Sequence, residues 1–310
     1  MRITVFFVGE VHDDGFNASA LDGALRVQDA GIAEISVIDG VPYKEDVIRS
    51  RLADVMPGCD GLVFIGGQGN GATPDIAALH PDKRFAIVQG HRTGPNLASY
   101  DVLQEETAFL AGALAALITK TRVVGHLSGH RVRPGLKGRA AFAAGVAHID
   151  PEIELLTAFC GTQDDNAVSR AWAEAEISAG ADVIFTMLNA ARQGAIDACR
   201  AGGAMQIGNA LDWVTRDEEV FIASAMARID LGVERAIHDM VAGQIPSEVV
   251  ELGLADGDYG QLTLGKDVAP EIRARIAQIA VMVRNTQITI PDDYTGPEFQ
   301  PETGLCIATA

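Results

Sequence analysis

Ile3-Thr4-Val5-Phe6-Phe7-Val8-Gly9 runs into Glu10-Val11-His12-Asp13-Asp14-Gly15-Phe16-Asn17. The apolar run is too short for a secretory h-region with its flanks and reads as a buried first strand. Gly9 closes it. A polar loop follows, and residues 16–31 read as a helix opening at Phe16. This strand–loop–helix unit repeats. Strands are expected at 33–39, 61–66 and 84–90, with helices near 44–56 and 74–80 between them. Short Gly, Pro and Asp punctuation separates them. The alternation predicts a parallel sheet covered on both faces.

The pattern then restarts. Helices are expected at 105–119, 134–147, 165–180 and 193–201, and strands at 122–127, 153–159, 182–187 and 205–208. A strand near 220–224, a helix at 229–242, a strand-like stretch at 249–254 and a helix at 270–284 follow. These last segments read as chain crossing back between halves. The expected architecture is α/β, with two Rossmann-like lobes of parallel sheet. Lobe 1 takes residues 1–103 plus about 223–253, and lobe 2 takes 104–222 plus about 254–285. Residues 286–310 are expected to form a surface tail. In open sheets of this kind, ligands lie beyond the carboxyl ends of the strands.

The composition fits that architecture. Of 310 residues, 48% are hydrophobic and only 5% aromatic, which suits small-residue helices packed on strands. The formal charge of −18 leaves no basic face, so nucleic-acid binding is not expected. Cys59, Cys160, Cys199 and Cys306 show neither CxxC nor zinc-like spacing. No metal or cofactor is expected, and no stretch reaches the length of a membrane span. The direct run from Met1-Arg2 into the first strand is expected of a cytoplasmic protein, or of a mature chain from which a leader was trimmed. The trimmed form would place the protein in the periplasm or at the cell surface.

Four ordered segments carry a resemblance. They are Gly9 to Asn17; Glu105-Glu106-Thr107-Ala108-Phe109-Leu110-Ala111-Gly112 with Thr119-Lys120-Thr121 and Val124-Gly125; Gly180-Ala181-Asp182-Val183-Ile184-Phe185; and Ile207-Gly208. Together they resemble the BMP family of substrate-binding proteins, the basic-membrane-lipoprotein and purine-nucleoside-receptor group. The resemblance implies a type I periplasmic-binding-protein fold whose lobes close over a ligand. It also implies delivery of a nucleoside-like molecule to an ABC permease. In the family, residues matching Phe16 and Phe185 stack on the base, and such stacking contributes about 1–3 kcal/mol per base. Asp13 and Asn17 would supply an acceptor and a donor for a purine edge.

Two departures from the family pattern bear on the sugar. Ala210 stands where nucleoside binders carry an Asp for the ribose hydroxyls, and Ala227 stands where a Lys is usual. A buried hydroxyl left without partners costs about 1–3 kcal/mol. The expectation is therefore a ligand without ribose, or a ribose held by Asn209, Asp212 and Trp213. Trp213 is read either as a third aromatic wall or as hinge packing. Asn189 is counted among the ligand residues as well.

Two further stretches have cleft-facing chemistry. His126-Leu127-Ser128-Gly129-His130-Arg131-Val132-Arg133 follows a second-lobe strand, and Arg131 there is a candidate for a carboxylate, a phosphate or an acidic heterocycle. Gly66-Gly67-Gln68-Gly69-Asn70-Gly71 follows the third strand, and Gly67 and Gln68 are taken as ligand contacts. That glycine run lacks the Lys and Ser/Thr of a P-loop, so nucleotide hydrolysis is not expected. The leading expectation is a non-catalytic binding protein. A nucleosidase using Asp13, Asp14, His12, His91 and the His126/His130 stretch is one alternative, and a cytoplasmic ligand sensor is another.

Overall fold

The computed structural model describes residues 1–301. The chain divides into two compact units, Met1–Val102 with Arg228–Leu252, and Leu103–Ala227 with Gly253–Ala310. In chain order the first unit contains β1 (Arg2–Val8), α1 (Phe16–Asp29), β2 (Glu34–Val41), α2 (Glu45–Val55), β3 (Gly61–Ile65), α3 (Gly69–Leu79), β4 (Arg84–Val88) and β5 (Leu97–Val102). The second unit follows with α4 (Gln104–Ile118), β6 (Val123–Ser128), α5 (Arg133–Ile149), β7 (Glu154–Phe159), α6 (Asn166–Ser178), β8 (Val183–Met187), α7 (Arg192–Gly202), β9 (Met205–Ala210) and β10 (Phe221–Ala227). The chain returns to the first unit for α8 (Ile229–Ala242) and β11 (Val250–Leu252). It ends in the second with β12 (Gly260–Leu264) and α9 (Pro270–Arg284).

Each unit holds one six-stranded sheet, ordered β11-β5-β4-β3-β1-β2 in the first and β12-β10-β9-β8-β6-β7 in the second. Among the described strands every pairing is parallel except β10 with β12. Parallel pairing needs crossover helices on both faces, which is why β1 and β3 are apolar along nearly their whole length and buried. Edge strand β2 is largely exposed by comparison. In the first unit, Phe6 stacks on Phe64 at 5.2 Å inside a cluster that includes Leu52, Ile76 and Ile87.

In the second unit, α4 is almost entirely buried against α5. The two backbones meet at glycines. A Cβ on Gly112 would collide with the Phe142 carbonyl, and one on Gly145 with the Phe109 carbonyl. Phe109, Leu114, Phe142 and Phe185 form the centre of this core.

Several expectations are corrected. β5 and β12 were not anticipated. β10 belongs wholly to the second unit, because it pairs with both β9 and β12, so that crossover falls after Ala227 rather than near residue 223. α3 begins at Gly69, inside the glycine run. Over its described part the segment beyond α9 is mostly exposed and is anchored by Ile288 and Ile290 against one core cluster and by Phe299 against another. The remainder of the expected tail, with Cys306, lies outside the described residues.

Candidate ligand-binding site

In the first sheet β1 and β3 are neighbours, and the crossovers leaving them, to β2 and to β4, run in opposite directions. The two crossovers leave a crevice at the carboxyl ends of β1 and β3, the usual ligand position in open α/β sheets. The loop after β1 is held by its own polar side chains. Asp13 accepts backbone N–H bonds from Gly15, Asn17 and Ala18 at 2.9–3.1 Å. Asn17 donates its amide to the carbonyls of Val8 and Glu10, both at 2.9 Å. Burial raises the Asp13 carboxyl above its ordinary range, and the three amide donors act the other way.

This bracing presents Phe16, half-buried, as the first residue of α1. Its ring edge lies 3.8 Å from where a Cβ on Gly66 would stand. Gly66 directly follows β3 with φ of 104°, a conformation that favours glycine. Gln68 folds back toward the same spot, its Oε1 2.7 Å from that Cβ position. Asn70 donates to the Gly67 carbonyl at 2.7 Å and accepts from the His91 backbone at 2.8 Å. Phe16, Gly66, Gly67 and Gln68 thus meet at the switch point. Asp13 and Asn17 are there too, but Asp13 and the amide nitrogen of Asn17 are engaged in building the loop.

The second sheet has its switch point between β6 and β8. Gly129 donates its N–H to the Met187 carbonyl at 3.3 Å, tying the two loops together. Asn189, half-buried in the loop after β8, donates its backbone N–H to Gln163 Oε1 at 3.1 Å.

Phe185 does not face this crevice. It is 1% exposed, stacked on Phe142 at 5.1 Å with His126 5.9 Å away. The expectation of an aromatic plate there is corrected, because a ring filled on its faces by the core has none left for a base. His126 is corrected likewise. It lies inside β6, fully buried, with Nδ1 2.9 Å from Thr157 Oγ1. Burial, and secondarily Arg139, push its pKa down to about 3, so it is a neutral core histidine.

Asn209, Asp212 and Trp213 do cluster, around a residue the sequence did not single out. Arg192 is 2% exposed and donates to Thr186 Oγ1 at 2.9 Å and to Asn209 Oδ1 at 2.5 Å. Its guanidinium lies 4.5 Å over the Trp213 ring, with Arg216 at 4.8 Å. The Trp213 indole N–H bonds the Asn209 carbonyl at 3.1 Å, and the ring packs on Gly208 and beside Phe221 at 5.3 Å. At 6% exposure Trp213 is mainly packing. Asp212 accepts from Ser224 Oγ at 3.3 Å. Ala210 closes β9 with φ of 64°, a left-handed conformation that L-residues rarely adopt. Ala227 is buried at the end of β10.

Arg131 follows β6 as expected, yet it is ion-paired to Glu298, with its guanidinium 4.8 Å over the Phe159 ring. Glu298 carried no signal in the sequence reading, because it lies in a Pro- and Gly-containing segment.

Mostly parallel sheets in two discontinuous units, each with a topological switch point, define the type I periplasmic-binding-protein fold. The chain belongs to the Bmp family, the PnrA-like ABC-transporter substrate-binding proteins, whose sequence profile matches residues 1–264. Membership carries a small-molecule ligand and an ABC permease as the expected partners. Basic membrane protein A of Borreliella burgdorferi is 24% identical, with 94% of this chain and 88% of that protein covered. A solute-binding protein of an ABC transporter system from Aeropyrum pernix K1 is 21% identical and superimposes with a TM-score of 0.81, covering 94% of each chain. A transcriptional activator of the comK gene from Bacillus halodurans is 18% identical with a TM-score of 0.78, covering 93% of this chain and 99% of that one. Among the described residues, no helix is long and apolar enough to cross a membrane.

Proposed function

We propose that the chain captures a purine-type nucleobase or nucleoside, closing its lobes on it, and hands it to an ABC importer at the cell surface or in the periplasm. The observation that carries this reading is the half-buried Phe16 at the first switch point, its ring edge and the Gln68 Oε1 both turned toward Gly66. A flat ring stacks on such a face, while amides and backbone groups read its edge. Ala210 and Ala227 offer no hydrogen-bonding side chain for a sugar, and Arg192 already occupies Asn209. The base is therefore the recognised part, and a free base and a nucleoside carry equal weight as ligands.

The test is calorimetric titration with purine bases and their nucleosides. Binding by at least one is expected, with Phe16→Ala weakening it about 5- to 150-fold, the equivalent of one stacked base. Absence of binding by any base or nucleoside would overturn the ligand class. Steady release of free base from a nucleoside would instead establish a nucleosidase. The likeness to the comK activator from Bacillus halodurans supports a ligand-sensing role as the second reading. Stimulation of the cognate permease's ATPase by the liganded protein separates transport from sensing.

A further inference from the structure

Independently of the base site, the second unit holds an arginine pair closed by one carboxylate. Arg131 follows β6 and Arg139 lies on α5. Both guanidinium groups lie against the Phe159 ring, at 4.8 and 4.9 Å. Glu298 bridges them, with Oε2 on Arg131 and Oε1 on Arg139, the latter at 2.5 Å. The Arg139 side chain is more than nine-tenths buried, so its charge needs a partner inside the protein.

Glu298 meets that need incompletely. Arg139 Nε is buried and has no hydrogen-bond partner, since Glu298 touches only one terminal nitrogen. A buried guanidinium edge left unmet is uncommon where an oxyanion is in place, because the two groups pair readily through parallel bonds. The carboxylate is delivered by a lightly attached segment. Residues 291–300 form neither helix nor strand and are mostly exposed. Besides Glu298, the attachments of this stretch are Tyr294 against Arg139 at 5.1 Å, the Phe299 N–H on the Thr157 carbonyl of β7 at 2.9 Å, and the packing of Phe299. Segments with so few buried contacts open at low free energy.

We infer that Arg131, Arg139 and Phe159 form a second binding site, for the oxyanion group of a small carboxylate or phosphate compound, and that Glu298 is its built-in competitor. An oxyanion not tethered to the chain can turn to take the Arg139 edge that Glu298 leaves unmet. Binding and the docked segment are then mutually exclusive. The neighbouring arginines hold the Glu298 carboxyl below its usual range, which keeps it charged and competing at neutral pH.

The experiment titrates the full chain and its Glu298→Gln variant with acetate and, separately, with inorganic phosphate, against chloride at equal ionic strength. The variant is expected to bind one of the two at least tenfold more tightly than the parent, and Arg131→Ala in that background to abolish the gain. Which anion gains identifies the group. Equal binding by parent and variant, or none by a folded variant, overturns the site. Should the variant not fold, hydrogen exchange at the Phe299 amide of the parent decides. Acceleration by either anion supports displacement, and an unchanged rate overturns it. None of these readouts involves a purine, so this site and the base site fail separately.

Discussion

His126 and Glu176 show how single buried groups set the pH range of the second unit. His126 is neutral in the folded state, with its pKa near 3 against 6.5 in the free side chain. A depressed histidine means that the unfolded chain binds the proton first. Stability is therefore lost as pH falls from about 6.5 toward 3, by up to about 1.4 kcal/mol per pH unit. His126→Phe should remove that slope, read as a flatter pH dependence of the urea midpoint below pH 6. Glu176 does the reverse. Both its oxygens are buried without partners, and Gly125 packs against it, so burial raises its pKa well above 4.5. A raised carboxyl stabilises below its unfolded pKa, and that contribution is lost as pH climbs through the folded value. Glu176→Gln should raise the thermal midpoint at pH 8 and leave it nearly unchanged at pH 5. A lower midpoint at pH 8 would contradict an uncompensated buried acid. Ala210 stores a different kind of strain. With φ at 64°, Ala210→Gly should leave the denaturation midpoint level or raise it slightly, while Ala210→Val lowers stability by about 1–3 kcal/mol.

At the scale of elements, the α4–α5 contact is the most demanding. Helices this close tolerate no side chain at the crossing, so Gly145→Ala should cost about 1–3 kcal/mol, read as a lower midpoint in chemical denaturation. Elements were legible in the sequence where both their faces are buried. β1, β3 and β8 are buried apolar runs interrupted within only by Thr4 and Thr186, and α4 is apolar all round beyond its first turn. β5 was missed because Ser99 and Asp101 interrupt it, although Ser99 is buried through a bond to the Arg92 carbonyl. β12 was missed because its Gln-Leu-Thr-Leu run is short and half-exposed at an edge. The candidate site of the first unit was legible because one continuous stretch, residues 9–17, builds its loop. That of the second was not. Phe185 packs into the core on Phe142, and an apolar strand does not announce which of its side chains face a crevice. Arg192, Asn209 and Trp213 come together only through the β8–β9 pairing, and the Glu298 contact spans well over a hundred residues of chain.

For the whole molecule, a charge of −18 on 310 residues implies self-repulsion in the compact state. Raising the ionic strength from about 0.01 M to 0.15 M shortens the Debye length from about 30 to 8 Å. The thermal midpoint should therefore rise with sodium chloride over that range, and a falling midpoint would mean that ion pairs dominate instead. The same charge accords with a small-molecule cargo rather than a nucleic-acid partner.

The interleaving of the two units also bears on their birth at the ribosome. Residues Met1–Val102 emerge first, yet their sheet lacks its edge strand β11 and the covering helix α8 until Leu252 has been made. At roughly 5–20 residues per second, translating the intervening stretch of about 150 residues takes about 7–30 s. Throughout that interval the outer edge of β5 stands unpaired and the face awaiting α8 uncovered. The nascent chain is therefore most open to chaperones and to misassociation in its middle life, and becomes self-sufficient only once the returning helix and strand have been delivered.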